Sequence, residues 1–288
     1  MTVARRPEEL EPARRAVAIG TFDGVHRGHR RVIEAAKAAR LRSTVVTFDP
    51  HPRTVLGTGV ELLSTPERRV ELLEAAGAED VLLVQVDAAL LELAPEAFAE
   101  KVLRAIGAEV VAAGEGFRFG RGRSGDLDLL ATLGFDVRRV PLVDNVSSSH
   151  IRGLVASGEV ERAARLLGRP TEVEGTVVTG DQRGEGLGFP TANLAVPPSL
   201  LVPELGIYAG SALGHRAAIS IGTNPHYGGS ERRVEAFLLD FSGDLYGERL
   251  VVEIWERLRD EAAFGSEAEL VEAIEADVAR TRLAVRPG

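Results

Sequence analysis

Two histidines bracket a glycine near the start of the chain, and both can act on a phosphate. His26 and His29 lie in the segment GTFDGVHRGH at positions 20–29. An imidazole can donate a hydrogen bond to a phosphoryl oxygen and stabilise charge that develops during transfer. Gly20 and Gly28 let the backbone turn tightly and approach a ligand closely. Taken alone, the four residues HRGH favour a turn with two surface histidines.

A second glycine-rich segment, GDQRGEGLGFPTANL at positions 180–194, offers oxygen ligands. Thr191 and Asn193 are two residues apart, so on an extended segment their side chains point the same way. Their hydroxyl and amide oxygens suit Mg²⁺, which takes oxygen ligands together with nucleotide phosphates. Backbone N–H groups of the preceding loop, which ends at Gly188, can form a concave anion site. The alternative for this segment alone is a decorated β-turn.

A single carboxylate stands out in the second half of the chain. Glu235 lies in the apolar run RVEAFLLDF at positions 233–241, so its neighbours are expected to be buried. A carboxylate at the opening of a site can accept the proton of a hydroxyl that attacks a γ-phosphate. The alternative is a strand residue that faces solvent, which is what we expect of Glu253.

Composition excludes several classes of protein. The net charge of -9 argues against a general nucleic-acid binder, which needs excess Lys and Arg. The absence of cysteine excludes disulfides, thiolate chemistry and Cys-ligated zinc. Only Lys37 and Lys101 occur, and neither is followed by Ser or Thr, so there is no Walker A loop.

The chain carries no signal for a membrane. Residues 1–15 are charged and lack the apolar core of a signal peptide, and no apolar run is long enough to span a bilayer. We therefore expect a cytoplasmic protein whose partners are small molecules, with no membrane and no nucleic acid. A homo-oligomer is compatible with this sequence.

The first half alternates between strand and helix patterns, which predicts a parallel sheet covered by helices on both faces. Position 20 ends the first predicted strand, so the histidines open the following helix, where free N–H groups and the helix dipole favour a phosphate. Predicted strands are residues 16–20, 43–48, 81–86, 109–113 and 136–140, and predicted helices are residues 29–41, 66–76, 95–106 and 126–133.

The pattern changes after position 146. Two short helices are predicted at 149–157 and 159–167, and the sequence GRP at 168–170 then breaks the chain. We place a domain boundary there, between a domain of residues 1–168 and a domain of residues 169–288. Short β-rich runs in the second domain indicate a small antiparallel barrel. These runs are residues 172–179, 206–212, 217–222, 234–241 and 249–256, and a helix at 266–283 follows them.

The first site resembles the nucleotidylyltransferase superfamily, whose signature contains HxGH. The segment that includes Phe22 is most like the bacterial FAD-synthetase branch, and the run TFDPHP at 47–52 is similar to one in that branch. The segment VSSSHIR at 146–152 resembles a family motif in which hydroxyls and an arginine bind ATP phosphates. This implies that Ser148, Ser149 and Arg152 bind phosphates, and these groups suit that role chemically.

One position departs from the family pattern. The segment GEGFRFG at 114–120 resembles a family segment that usually has Asp or Asn at the position of Gly116. Glycine has no side chain to supply that contact, so adenylyl transfer is expected to be weaker or to use another group. The match to GxGxxG at 120–125 does not indicate a dinucleotide site, because the preceding predicted strand ends several residues earlier.

The second site resembles the riboflavin-kinase family, in which the residues PTAN bind Mg-ATP. The resemblance implies that Pro190, Thr191 and Asn193 serve nucleotide and metal, and that Glu235 is the catalytic base. Further matches are GIYA at 206–209, IGTNP at 221–225 and RLRDE at 257–261.

The two resemblances cover residues 16–277 and imply one bifunctional enzyme. It would phosphorylate riboflavin to FMN and then join FMN to AMP to give FAD and pyrophosphate, with ATP and Mg²⁺. Three alternatives remain open: a riboflavin kinase with a degenerate adenylyltransferase domain, a non-catalytic flavin-binding sensor, and a nucleotidylyltransferase for another substrate.

Overall fold

A computed structural model of the chain describes residues 1–180, 189–223 and 232–288. The chain divides into two compact units. One comprises Met1–Val60 and Ser64–Ser148, and the other comprises Glu61–Leu63 and Ser149–Gly288. The short segment around Leu62 joins the second unit through backbone hydrogen bonds with Ser199 and Leu201, at 2.7 and 2.8 Å.

Within the first unit, the described residues contain a parallel sheet of six strands in the order β1-β4-β3-β2-β5-β6. The strands are β1 (Thr2–Ala4), β2 (Arg15–Ile19), β3 (Arg42–Asp49), β4 (Asp80–Gln85), β5 (Ala108–Gly114) and β6 (Asp136–Val140). The parallel α/β fold predicted for this half is confirmed. Sequence reasoning missed β1, which is an edge strand of three residues.

Helices follow the strands, as the alternation predicted. They are α1 (Arg27–Lys37), α2 (Pro52–Val55), α3 (Pro66–Ala75), α4 (Ala88–Leu91), α5 (Pro95–Phe98) and α6 (Leu127–Thr132). The helix predicted at 95–106 continues beyond α5 as a π-helical turn, Ala99–Leu103, and a 3-10 turn, Arg104–Ile106. Two further 3-10 turns are Pro7–Glu9 and Arg121–Arg123.

Side chains of the central strands enter two separate apolar cores. Val17 and Ile19 of β2 pack into one core, whereas Ala16 and Ala18 pack into the other, which also contains Ile33 of α1. Because successive strand residues point to opposite faces, apolar residues at every position mean that both faces of the sheet are covered. The two cores hold the sheet in place, and the loops of the first site begin at the ends of its strands.

The second unit contains a closed antiparallel barrel of six described strands, in the order β10-β11-β8-β7-β12-β9. They are β7 (Thr171–Val178), β8 (Ala192–Ala195), β9 (Gly206–Ala212), β10 (His215–Thr223), β11 (Arg232–Leu238) and β12 (Arg249–Arg259). The antiparallel barrel predicted for this half is confirmed. The barrel also includes β8, which was not among the predicted strands and which carries Asn193.

The described residues of the second half also contain three helices: α7 (Ser148–Ala156), α8 (Val160–Leu167) and α9 (Glu267–Leu283). Ser266 caps α9 by accepting a hydrogen bond from the N–H of Glu269 at 3.3 Å, as expected for a helix that begins after a serine. Helix α8 packs against β7 and β12. Apart from Glu61–Leu63, the second compact unit comprises Ser149–Gly288. The predicted boundary between residues 168 and 169 is a proposal about the functional division of the chain.

Candidate functional site

His26 is the N-cap of α1. Its Nδ1 accepts a hydrogen bond from the backbone N–H of His29 at 3.2 Å, a role usually taken by Ser, Thr, Asp or Asn. Since Nδ1 is an acceptor, the neutral imidazole carries its proton on Nε2. The two imidazole rings stack, with centroids 3.5 Å apart and planes 11° from parallel. The predicted pair of histidines is thus brought together at a helix N-terminus.

The backbone before α1 is left-handed at several positions. Phe22 and Val25 have φ values of 49° and 39°, which residues other than glycine rarely adopt. Phe22 is buried, and its ring lies 5.1 Å from that of His29. A Cβ on Gly28 would lie 3.2 Å from the ring of His26, so glycine at this position leaves room for the imidazole.

Asp23 links three parts of the first unit. Its fully buried carboxylate accepts a hydrogen bond from the N–H of Ser64 at 3.2 Å, and the hydroxyl of Ser64 in turn accepts from Gly24 N–H. The hydroxyl of Ser148 donates to the backbone carbonyl of Asp23 at 3.0 Å. Ser148, predicted as a phosphate ligand, therefore contacts the segment at positions 20–29, which carries His26 and His29.

Arg69 of α3 clamps two loops from inside the protein. Its Nη1 donates to the carbonyls of Thr21 and Phe48, at 3.2 and 2.8 Å, and so joins the ends of β2 and β3. The side chain is fully buried, and this burial lowers the pKa of the guanidinium, while Asp23 and Asp49 offset part of the shift. The charge stays close to the first site without being exposed to solvent.

The remaining residues predicted for phosphate binding lie on α7. Ser149 is exposed in its first turn, and Arg152 is half-buried one turn later. Helix α7 buries Ile151 in a cluster with Leu154 and Leu63. That burial fixes the face on which the other α7 side chains are displayed.

Gly116 lies in an exposed turn after β5, and a Cβ added there would meet nothing within 4 Å. The adjacent Phe117 and Phe119 rings stack with centroids 5.7 Å apart. The GxGxxG match that begins at Gly120 does not directly follow a strand, since β5 ends at Gly114. It forms a loop closed by paired backbone hydrogen bonds between Phe119 and Gly125.

In the barrel, Glu235 and Asn193 are direct cross-strand partners on β11 and β8. The side chain of Glu235 is 27% exposed and that of Asn193 is buried, so the carboxylate reaches the surface beside the amide. Thr191 immediately precedes β8, and its carbonyl accepts from Asn193 Nδ2 at 3.4 Å. The structure thus brings together the predicted base and both predicted metal ligands.

Arg233 lies across this pair. Its Nε is 2.6 Å from Glu235 Oε1, and its Nε and Nη2 donate to Asn193 Oδ1 at 3.0 and 2.9 Å. The oxygens of Asn193 and Glu235 therefore already surround a cation. An amide oxygen that accepts hydrogen bonds from a guanidinium can also bind a small hard cation, so Asn193 fits Mg²⁺.

Glycine packs against the predicted metal ligand. A Cβ on Gly180 would lie 2.4 Å from Cγ and Nδ2 of Asn193, so this position has no room for a larger residue.

Pro190 is exposed just before Thr191. Gly188, predicted to bind nucleotide, lies outside the described residues, as do Asn224 and Pro225. The described ranges contain no group of three or more His, Cys, Asp or Glu that could hold a metal ion.

Glu253 does not face solvent as expected. Its side chain is 20% exposed and accepts hydrogen bonds from Arg286, Trp255 and Ser211. Burial raises the pKa of Glu253, but the hydrogen bonds from Arg286 and Trp255 outweigh it, and the net pKa is lowered. The sequence could not reveal this, because Arg286 is distant along the chain.

Sequence reasoning also missed Asp23, Ser64, Arg69 and Arg233 as residues that hold the two sites. One signal was available: Arg69 occupies the same helical face as Leu72 and Leu73, which are buried. An arginine at a core position requires polar partners in the interior.

Comparison with known proteins assigns both halves to families. Residues 8–152 match the family described as FAD synthetase, and residues 167–285 match the family described as riboflavin kinase. A bifunctional riboflavin kinase/FMN adenylyltransferase from Listeria monocytogenes is 34% identical over 96% of this chain and 94% of its own. The enzymes of that name from Bacillus subtilis and Escherichia coli K12 are 34% and 33% identical, over 93% and 94% of this chain and 91% of each relative.

A solved structure with a similar fold was also found. The crystal structure of a protein described as a macrolide-efflux protein from Streptococcus pneumoniae has a TM-score of 0.86 and 31% identity. The alignment covers 97% of this chain and 98% of that one. In the part of the present chain that the structure describes, no helix is both long enough and apolar enough to cross a membrane.

Proposed function

Because the chain belongs to the bifunctional riboflavin kinase/FMN adenylyltransferase family, we propose that its two sites divide those activities between the barrel and the parallel-sheet unit. The enzyme makes FMN from riboflavin and FAD from FMN. The observation that carries the proposed division is the pairing of Glu235 with Asn193 on adjacent barrel strands. The matched ranges support it, since the riboflavin-kinase match falls on the barrel.

In the proposed kinase reaction, Glu235 accepts the proton of the riboflavin 5′-hydroxyl. The hydroxyl oxygen forms a bond to the γ-phosphorus of ATP, the bond between that phosphorus and the bridging oxygen breaks, and ADP leaves. The partial exposure of the Glu235 side chain, beside the buried amide of Asn193, supports this role for Glu235. Pro190 and Gly188 would bind the nucleotide.

We propose that Thr191 and Asn193 bind Mg²⁺ in the kinase site. When bound, the ion would neutralise charge on the phosphates of ATP. The position of Asn193 opposite Glu235, with its amide oxygen already directed at a cation, supports this assignment.

In the proposed adenylyl transfer, a phosphate oxygen of FMN attacks the α-phosphorus of ATP, and pyrophosphate leaves. Nε2–H of His26, together with His29, would donate to the phosphoryl oxygens as charge develops. Gly20, Phe22 and Gly28 shape the loop that presents them. Ser148, Ser149 and Arg152 would bind ATP phosphates, since hydroxyls and guanidinium groups suit them.

An alanine at position 180 is expected to weaken the kinase selectively. The new methyl would displace the amide of Asn193, and the KM for Mg-ATP in riboflavin phosphorylation should rise about tenfold, equivalent to about 1.4 kcal/mol. Steady-state kinetics with varied Mg-ATP would measure it. Gly59→Ala is the control, because a Cβ at Gly59 meets nothing within 4 Å. An unchanged KM in Gly180→Ala would show that the position of Asn193 is unimportant for Mg-ATP.

A side chain at position 116 is expected to strengthen FAD synthesis. Gly116→Asn fills open space and restores the residue type that the family pattern has there. One added hydrogen bond, about 0.5–1.5 kcal/mol, should raise kcat/KM for FMN adenylylation about two- to tenfold. Initial rates of FAD formation from FMN and ATP would measure it. Gly59→Asn, also in open space, should leave the rate unchanged, and a lower rate in Gly116→Asn would mean that this turn needs glycine.

We also propose a cytoplasmic location, which the requirement for ATP supports.

A further inference from the structure

A single guanidinium engages both the proposed base and the proposed metal ligand of the kinase site. Arg233 and Glu235 are two residues apart on β11, so their side chains share one face of the barrel wall. Arg233 contacts Glu235 Oε1 at 2.6 Å and Asn193 Oδ1 through two N–H groups at 3.0 and 2.9 Å. Both proposed functional side chains are therefore held by the same cation.

These contacts use the atom that a metal would need. A carbonyl oxygen has two lone pairs, and two N–H groups of Arg233 are directed at Asn193 Oδ1. Mg²⁺ binds its oxygen ligands at about 2.0–2.1 Å, and a guanidinium at hydrogen-bond distance from the same atom would repel it. An Mg²⁺ ion at this site would therefore compete with Arg233 for Asn193.

We propose that Arg233 is an internal cation that occupies Asn193 in the metal-free kinase site and is displaced when Mg²⁺ binds with the nucleotide. This inference rests on the proposed role of Asn193 as a metal ligand. In the metal-free state, Arg233 keeps Asn193 and Glu235 in place and balances the negative charge on their oxygens. Displacing it reduces the apparent metal affinity, because only the fraction of molecules with Arg233 withdrawn can bind the ion.

The test is a measurement of Mn²⁺ binding, with Mn²⁺ and ADP as the probe and the electron paramagnetic resonance signal of free Mn²⁺ as the readout. Arg233→Met removes the competitor, and the Asn193-dependent binding of Mn²⁺ should tighten about tenfold. Arg233→Lys, which keeps the charge but has fewer donors, should give an intermediate affinity. Asn193→Ala, measured in parallel, separates Mn²⁺ binding at the kinase site from Mn²⁺ binding to the parallel-sheet unit.

Arg232→Met is the matched control, because Arg232 carries the same charge on the same strand. Its guanidinium donates to the carbonyls of Val202 and Pro203 instead, so Mn²⁺ affinity should stay at the wild-type value. If Mn²⁺ binding tightens equally in Arg232→Met and Arg233→Met, the effect comes only from the loss of one positive charge, and the proposal is overturned.

Two other outcomes are separable. If Asn193→Ala weakens Mn²⁺ binding while Arg233→Met and Arg233→Lys fail to tighten it, Arg233 is not a competitor and this inference is overturned alone. If Asn193→Ala leaves Mn²⁺ binding unchanged, Asn193 is not a metal ligand, and the proposed metal site fails together with the inference.

Discussion

Glu235→Gln is expected to lower kcat for riboflavin phosphorylation by about 10²–10⁴-fold. Glutamine has nearly the same shape as glutamate, but its amide cannot accept the proton of the attacking hydroxyl. The side chain lies at the barrel surface beside Asn193, so the substitution leaves the apolar barrel core intact. Adenylylation of FMN should continue at the wild-type rate, because the matched range for FAD synthetase ends at residue 152. The measurement is the initial rate of FMN formation, with FAD formation from supplied FMN as the internal control.

Glu256→Gln is the matched control for that experiment. Glu256 is another half-buried strand glutamate of the barrel and makes no side-chain hydrogen bond among the described residues. The same substitution there should leave both activities unchanged. Retention of riboflavin phosphorylation in Glu235→Gln would remove this residue from the chemistry.

His26→Asn is expected to reduce FMN adenylylation by about 10²–10³-fold, the effect of removing a donor to a developing negative charge. Asparagine is among the preferred N-cap residues, so its side-chain oxygen can still accept from the N–H of His29. Helix α1 should therefore keep its start, and the variant separates the capping role of His26 from its chemical role. Rates of FAD and pyrophosphate formation from FMN and ATP would measure the loss.

Thermal unfolding and riboflavin phosphorylation serve as the controls for His26→Asn. Both should match the wild type, because the cap is preserved and the kinase site is elsewhere in the chain. Undiminished FAD synthesis in this variant would mean that His26 acts only as a cap, and the chemical role would then fall to His29.

The sequence was a good guide to both folds because periodicity depends on local patterns. Alternating strand and helix patterns predicted the parallel sheet, and the run at 136–140 agrees with β6 in both bounds. Short elements were harder. β1 spans three residues and β8 spans four, so neither has a long enough pattern of alternation to indicate a strand.

The candidate sites were predictable in their residue types but less so in their geometry. The motifs indicated His26 and His29, but they did not indicate the stacking of the two rings or the left-handed backbone at Phe22 and Val25, which residues other than glycine rarely adopt. In the barrel, Glu235 faces Asn193 only because β11 and β8 are neighbours. Such contacts between distant segments are set by strand order, and the local sequence does not specify them.

One time course tests directly whether this single chain has both activities. Purified protein would be incubated with riboflavin, excess ATP and Mg²⁺, and riboflavin, FMN and FAD would be separated chromatographically. We expect FMN to rise first and then to convert into FAD, with Gly116 tolerated. FMN that accumulates to completion without any FAD would contradict the account and leave a riboflavin kinase with an inactive first domain.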